Sequence, residues 1–236
     1  MRRSLGVVCA SALCFGALQI TSASAQEEVL CGPPDEQVPV TIVGAGDIKG
    51  TQGDDVILGS AGADNIKAGP GDDVICAEGG NDTVNGGPGN DAMLGDGFDA
   101  PPFIPSNGNN DDHLIGGPGD DTLAGLGGDD TLDAGPGDDE IIGFGGDDAI
   151  DASAGADTAF GGPGIDHMSG GQGPDTLFGN FGSDVITGGQ GADFIDGDNP
   201  TPPPPEGAPF PPGGNDDDCT GGQGTDEVVN CETTRP

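Results

Sequence analysis

Gly116-Gly117-Pro118-Gly119-Asp120-Asp121-Thr122-Leu123-Ala124 is the stretch that decides how the chain is read. The next nine residues, Gly125-Leu126-Gly127-Gly128-Asp129-Asp130-Thr131-Leu132-Asp133, repeat its pattern. With places numbered one to nine, ten such units run from Asn107 to Asp196 with no residue gained or lost. Place four is nearly always Gly, place six is always Asp, and place eight is nearly always aliphatic. A fixed short period outranks local propensity, because each repeat is one unit of a stacked architecture.

The array extends in both directions. Five units run from Gly50 to Leu94, with Asp55, Asp64, Asp73, Asp82 and Asp91 at place six. Residues 95–106 are extra. The ten central units carry Asp112, Asp121, Asp130, Asp139, Asp148, Asp157, Asp166, Asp175, Asp184 and Asp193. Residues 197–211 form a second, proline-rich insert, and two last units carry Asp217 and Asp226. Place three holds a longer period. Counted in order, the odd units have Gln52, Pro70, Pro88, Pro118, Pro136, Gln172, Gln190 and Gln223 there, broken only by Ala154. The true repeat is therefore about two units, and each insert is a loop hung on a turn.

Places seven to nine are too short for a helix and alternate outward, inward, outward, as a strand does. The inward residue is the aliphatic of place eight. Places one to six are rich in Gly because the turn needs positive φ and close backbone approach. Strand, turn, strand, turn predicts an all-β coil with two parallel sheets. One apolar side chain per nine residues is a thin return for the entropy lost in ordering nine backbones. Something else must hold the coil.

The bulk numbers narrow the possibilities. Acids outnumber bases 42 to 5, Gly is 49 of 236 residues, and there is no Trp or Tyr. Nucleic acid and anionic membranes need a basic footprint and are excluded as partners. Residues 1–25 read as a secretory signal peptide: Arg2-Arg3, an apolar run from Leu5 to Ile20, and Ala23-Ser24-Ala25 as cleavage site. No later segment is apolar enough to span a bilayer as a helix. Removing the signal leaves 3 − 42 = −39 charges on an exported, extracellular polyanion. Residues 26–49 are a lead-in or cap, 50–229 the repeat domain, and 230–236 a tail. Within the lead-in, Gly44 to Lys49 is a decayed repeat with Gly46 at place six. It predicts a layer without a full site.

Place six supplies the missing term. Aspartates one coil apart repel at a strand spacing of about 4.8 Å. A hard divalent cation removes that repulsion, and Gly-rich turns leave many carbonyl oxygens free for Ca2+. Few Cys and two His argue against zinc or copper. The seventeen place-six aspartates are the candidate ligands, with at most 17 − 2 = 15 inter-turn sites.

The motif Gly-Gly-x-Gly-x-Asp-x-aliphatic-x resembles the RTX, or haemolysin-type, calcium-binding repeat. The resemblance implies a parallel β-roll with multiple Ca2+ ions held between turns by place-six side chains and turn carbonyls. This chain departs from RTX toxins and proteases in lacking their catalytic or pore-forming domain. Its N-terminal signal is a further departure. Lysis and proteolysis are not carried over, and it is more similar to small exported repeat-only proteins.

Some residues remain open at this stage. The place-five acids, such as Asp54, Asp72, Asp120 and Asp129, supply a ligand, a carbonyl or only charge. His113 and His167 sit at outward strand positions and read as solvated. Carboxylate pairs recur at every layer without a unique pair, so no glycosidase or nucleophile-base arrangement stands out. Cys31, Cys76, Cys219 and Cys231 remain after the signal, and an even number in an exported chain favours disulfides. Three connectivities are possible; Cys31–Cys76 with Cys219–Cys231 closes both solenoid ends. Phe103 and Phe210, one in each insert, are either partner-binding anchors or parts of edge covers. The expectation is a non-enzymatic calcium-binding protein with a structural, adhesive or partner-binding role at a cell surface or matrix. The alternative is an accessory module of an extracellular polysaccharide-modifying system.

Overall fold

The computed structural model describes residues 40–96, 110–198 and 217–231 in full, and the strands Arg3–Ser4, Gln19–Ile20, Leu30–Cys31, Val38–Pro39 and Thr233–Arg235 as backbone. The signal segment, the side chain of Cys31, and both inserts with Phe103 and Phe210 lie outside the residues described in full.

Successive repeats contribute strands alternately to two ten-stranded sheets. Thr131–Asp133 of the eighth unit pairs in parallel with His113–Ile115 of the sixth and Ala149–Asp151 of the tenth. Its sequence neighbours, Thr122–Gly127 and Glu140–Gly145, pair with each other in the opposite sheet. The chain is a two-sheet parallel β-roll, and the described residues contain no helix. Place eight fills the space between the sheets. Ile57, Ile66, Ile75, Leu114, Leu123, Leu132, Ile141, Leu177, Ile186 and Ile195 form one buried core.

The turns keep their phase across both inserts. The backbone N–H of Asp73 donates to Asp91, 18 residues on; that of Asp91 reaches Asp121, 30 on, and that of Asp184 reaches Asp217, 33 on. The excesses, 30 − 18 = 12 and 33 − 18 = 15, are the two insert lengths. Asp96 still belongs to the strand Ala92–Asp96 and pairs with Glu78. Gly95 sits against Asp112 as Gly116 sits against Asp121. Gly95-Asp96 thus serve as places one and two of the sixth turn, and Gly197 takes the same seat beside Asp217.

The decayed repeat forms a layer. Asp47–Lys49 pairs with Asn65–Lys67, Ile48 is buried, and the Gly46 N–H donates to Asp64. Ile42–Val43 adds one more rung on Ile57–Leu58. The two outer faces differ. On the even-numbered sheet, place nine is largely polar: Lys67, Asn85, Asp133, Asp151, Ser169 and Thr187. On the odd-numbered sheet it is apolar from Leu58 to Phe178, with Cys76, Leu94 and Ala124 buried in a second cluster together with Val56, and polar at Asp196. Further along that column Phe160 and Phe178 stack at 4.9 Å, and Phe194 packs on Phe178 at 5.9 Å.

Candidate metal centre

Each place-six aspartate from Asp55 to Asp193 is bonded one coil onward. The backbone N–H of Asp121 donates to Oδ1 of Asp139 at 2.7 Å, that of Asp130 to Asp148 at 2.8 Å, and that of Asp148 to Asp166 at 2.9 Å. This ladder satisfies one carboxylate oxygen per layer and orients the other. In thirteen of them, Asp73, Asp82, Asp91, Asp112, Asp121, Asp130, Asp139, Asp148, Asp157, Asp166, Asp175, Asp184 and Asp193, Oδ2 is buried with no hydrogen-bond partner. Asp55 and Asp64 differ: their Oδ2 atoms accept the N–H groups of Thr51 and Ser60 at 2.6 and 2.7 Å. Asp217 is buried in the same ladder, and Asp226 is half-buried at the C-terminal end.

An orphaned carboxylate oxygen out of water is costly unless protonated or paired with positive charge. Burial accordingly pushes Asp112, Asp130 and Asp166 up to about 8, Asp82, Asp91, Asp121, Asp157 and Asp184 to about 7, and Asp139, Asp148 and Asp175 to about 6. The ladder N–H partly offsets burial, and neighbouring carboxylates add to it. The charges the fold stacks here are charges it cannot hold unaided.

Place one explains the space around them. A Cβ on Gly143 would stand 2.2 Å from Asp148 Oδ2 and 2.7 Å from the Gly161 carbonyl oxygen. On Gly161 it would stand 2.3 Å from Asp166 Oδ2 and 2.9 Å from the Gly179 oxygen. At these glycines a side chain would fill a cradle edged by a carboxylate oxygen and a carbonyl oxygen from the next coil; in four turns place one is instead Ala68, Ala77, Ala134 or Ala152, buried with the core. Among the described residues no three Asp, Glu, His or Cys side chains converge on one point. A cation in these turns would draw on one or two carboxylates and otherwise on backbone oxygens, an all-oxygen set that suits Ca2+. Orphaned oxygens, cradle and donor chemistry all fit that ion.

The place-five acids have a role that the sequence reading did not reach. Oδ1 of Asp54 accepts the N–H of Asp72 at 3.1 Å, and Oδ1 of Asp129 accepts that of Asp147 at 2.9 Å. They form exposed ladders running opposite to place six and hold coil spacing. Place two was also missed. It takes positive φ at several residues that are not Gly, namely Glu78, Leu126, Phe144, Ser153 and Asn180. Four of these five lie on even turns, and that bias is visible in the sequence once units are numbered. His113 and His167 are exposed, as expected. Cys219, buried at place eight, is disulfide-bonded to Cys231 with Cα atoms 6.0 Å apart. Cys76 is disulfide-bonded as well.

The family model of the RTX calcium-binding nonapeptide repeat (4 copies) matches residues 49–84, 77–99, 106–141, 125–159, 142–177 and 160–195. No curated protein matches the chain. These matches cover more than half of it and coincide with the turns whose carboxylates are orphaned, so the chain belongs to the RTX calcium-binding nonapeptide-repeat family.

Proposed function

We propose that this protein is an exported polyanion that becomes a β-roll when it loads Ca2+, and that it works outside the cell as a scaffold or adhesive element. The observation that carries the reading is the two columns of buried Oδ2 atoms without partners, seven on the odd edge and six on the even. Such a column is unstable as bare charge. Filled with divalent ions it links coil to coil, and metal-binding energy becomes folding energy. Fifteen ions would bring +30 against −39. The family is generally structural rather than catalytic, in keeping with a binding role.

The inserts are the proposed contact elements. Both leave the even edge after place two, and Phe103 and Phe210 sit in Pro-rich sequence that is stiff and loses little entropy on binding. Excising 97–108 and 199–213 keeps the turn phase and tests them together. Attachment to cells or matrix should disappear while calcium-dependent folding persists; unchanged attachment defeats the anchor role. The calcium reading itself is tested by circular dichroism. The chain should be largely unfolded in chelator and β-rich in millimolar Ca2+, and a spectrum indifferent to chelator overturns it.

A further inference from the structure

Place two of the even turns runs Ser60, Glu78, Asp96, Leu126, Phe144 through the first half of the roll. Asp96 is buried to the same degree as most place-six aspartates, at 1% exposure. Its Oδ1 accepts the side-chain amide of Asn110 at 2.6 Å, and its Oδ2 is buried without a partner. Its charge raises Asp82, Asp112 and Asp130, which are place-six groups of three successive even turns, and Glu78 beside it acts on Asp96 in the same sense. The lysines among the residues described in full, Lys49 and Lys67, are both exposed at place nine of the N-terminal layers. The sixth turn therefore concentrates carboxylates beyond what the repeat requires.

We propose that Asp96 is a side-chain ligand of a hard divalent cation, Ca2+, held at the sixth turn with Asp112 and turn carbonyls. The proposal rests on the calcium reading of the place-six column and adds a ligand position outside the repeat motif. Where place two is Gly, only its backbone can serve. Here the orphaned Oδ2 of Asp96 joins that of Asp112, and Asn110 fixes the orientation through Oδ1. More negative ligand charge tightens Ca2+ binding, so this site fills ahead of its neighbours. It also lies at the base of the first insert, where the chain must resume the coil after 30 − 18 = 12 extra residues. Loading it pins both stems of that insert to one ion.

The test uses the full exported chain, Ca2+ as the only probe, and two readouts: native mass spectrometry for ion count and calorimetry for affinity. Asp96→Asn should hold one ion fewer, and its tightest step should weaken about tenfold or more. Asp151→Asn, an exposed place-nine control, should match the parent. An Asp96→Asn chain with the parental count and tightest step overturns the proposal while leaving the calcium reading intact. A parent chain that binds no Ca2+ overturns both. Asp96→Leu gives an independent arm, because Leu126 is tolerated one even turn onward. As a lost ligand it should melt below the parent in saturating Ca2+. Melting above the parent would mean Asp96 is only a buried burden, and would overturn the proposal.

Discussion

The two edges of the roll are built from the same nonapeptide and are not alike. On the odd edge place two is mostly Gly, as in Gly69, Gly87, Gly117 and Gly135, and place three is Pro or Gln except at Ala154. On the even edge place two carries Glu78, Asp96, Leu126, Phe144 and Asn180. The three place-six carboxylates raised to about 8, Asp112, Asp130 and Asp166, all lie on the even edge. Bulk at place two does not set this alone: Asp166 is raised to about 8 with Gly162 in its own turn, and Asp148, with Phe144 in its turn, only to about 6. The odd edge is a plain row of turns, whereas the even edge is deeper, drier and the exit point of both inserts. One motif can thus supply a repeated cation cradle on one side and a platform for variation on the other.

The largest effect follows from the shared part of the two edges. In chelator, the folded carboxyls retain protons up to pH about 6–8, while in the unfolded chain they ionise near 3.8. The cation-free fold binds more protons than the unfolded chain, so its stability is fully present below about pH 4 and is lost as pH rises through 6–8. Without Ca2+, β-sheet signal should therefore grow as pH falls from 8 toward 5. In saturating Ca2+ the same scan should be flat. A chelated chain whose signal is unchanged across this window would show that the carboxylates are not what opposes folding.

The edges themselves are compared through protons. Ca2+ binding at pH 7 should release protons, because a cation favours the ionised carboxylate. The triple variant Asp112→Asn, Asp130→Asn, Asp166→Asn should lose about half of that release, because these three groups are the most fully protonated at pH 7. The odd-edge triple Asp121→Asn, Asp139→Asn, Asp157→Asn should keep most of it. Calorimetry in two buffers of different ionisation heat reads the difference, and equal losses from the two triples would erase the distinction in depth.

Sequence alone carried the period, the two-unit coil and the place-six column, since each is a matter of spacing. It did not carry what depends on the partner strand. The opposed ladders of place five exist because Asp72 and Asp54 lie one coil apart, and nothing in a single nonapeptide marks their carboxylates as acceptors of backbone N–H. Insert boundaries were blurred for a similar reason. Gly95-Asp96 reads as loop until pairing with Glu78 shows it to be the start of a turn. The apolar outer face of the odd sheet is written in Leu94, Ala124, Ile142, Phe160 and Phe178 at place nine, but strand alternation makes place eight the inward position and assigns place nine to solvent.

At the C-terminal end the expected effect is moderate. Reducing the Cys219–Cys231 bond, or replacing Cys231 by Ser, opens a loop with a sequence separation of 12. A loop of that size contributes about 2–3 kcal/mol. In a roll, where each coil touches only its neighbours, the loss should stay local. Hydrogen exchange should rise in Asp218–Gly224 and Glu227–Val229 and remain parental near Leu123. Exchange spreading through the core would mean that the disulfide stabilises the whole array.

The smallest effect isolates place two. Leu126 and Phe144 pair as neighbours on the even edge, and both hold positive φ, 84° and 75°. A non-Gly residue in that conformation costs about 1–3 kcal/mol, which Gly would recover. Leu126 is 1% exposed, so Leu126→Gly also removes a buried side chain worth about 1.5–3 kcal/mol, and the two terms should nearly cancel or leave a small loss. Phe144 is 38% exposed and recovers less by burial, so Phe144→Gly should be neutral or stabilising by up to about 1 kcal/mol. The melting temperatures of the two variants in saturating Ca2+ decide it. If Phe144→Gly is the more stable chain, folding is not what keeps an aromatic ring on the rim between the two inserts, and its value lies in what that rim touches. If Phe144→Gly is clearly destabilised, the ring is a structural part of the even edge, and the contrast between the edges is one of packing alone.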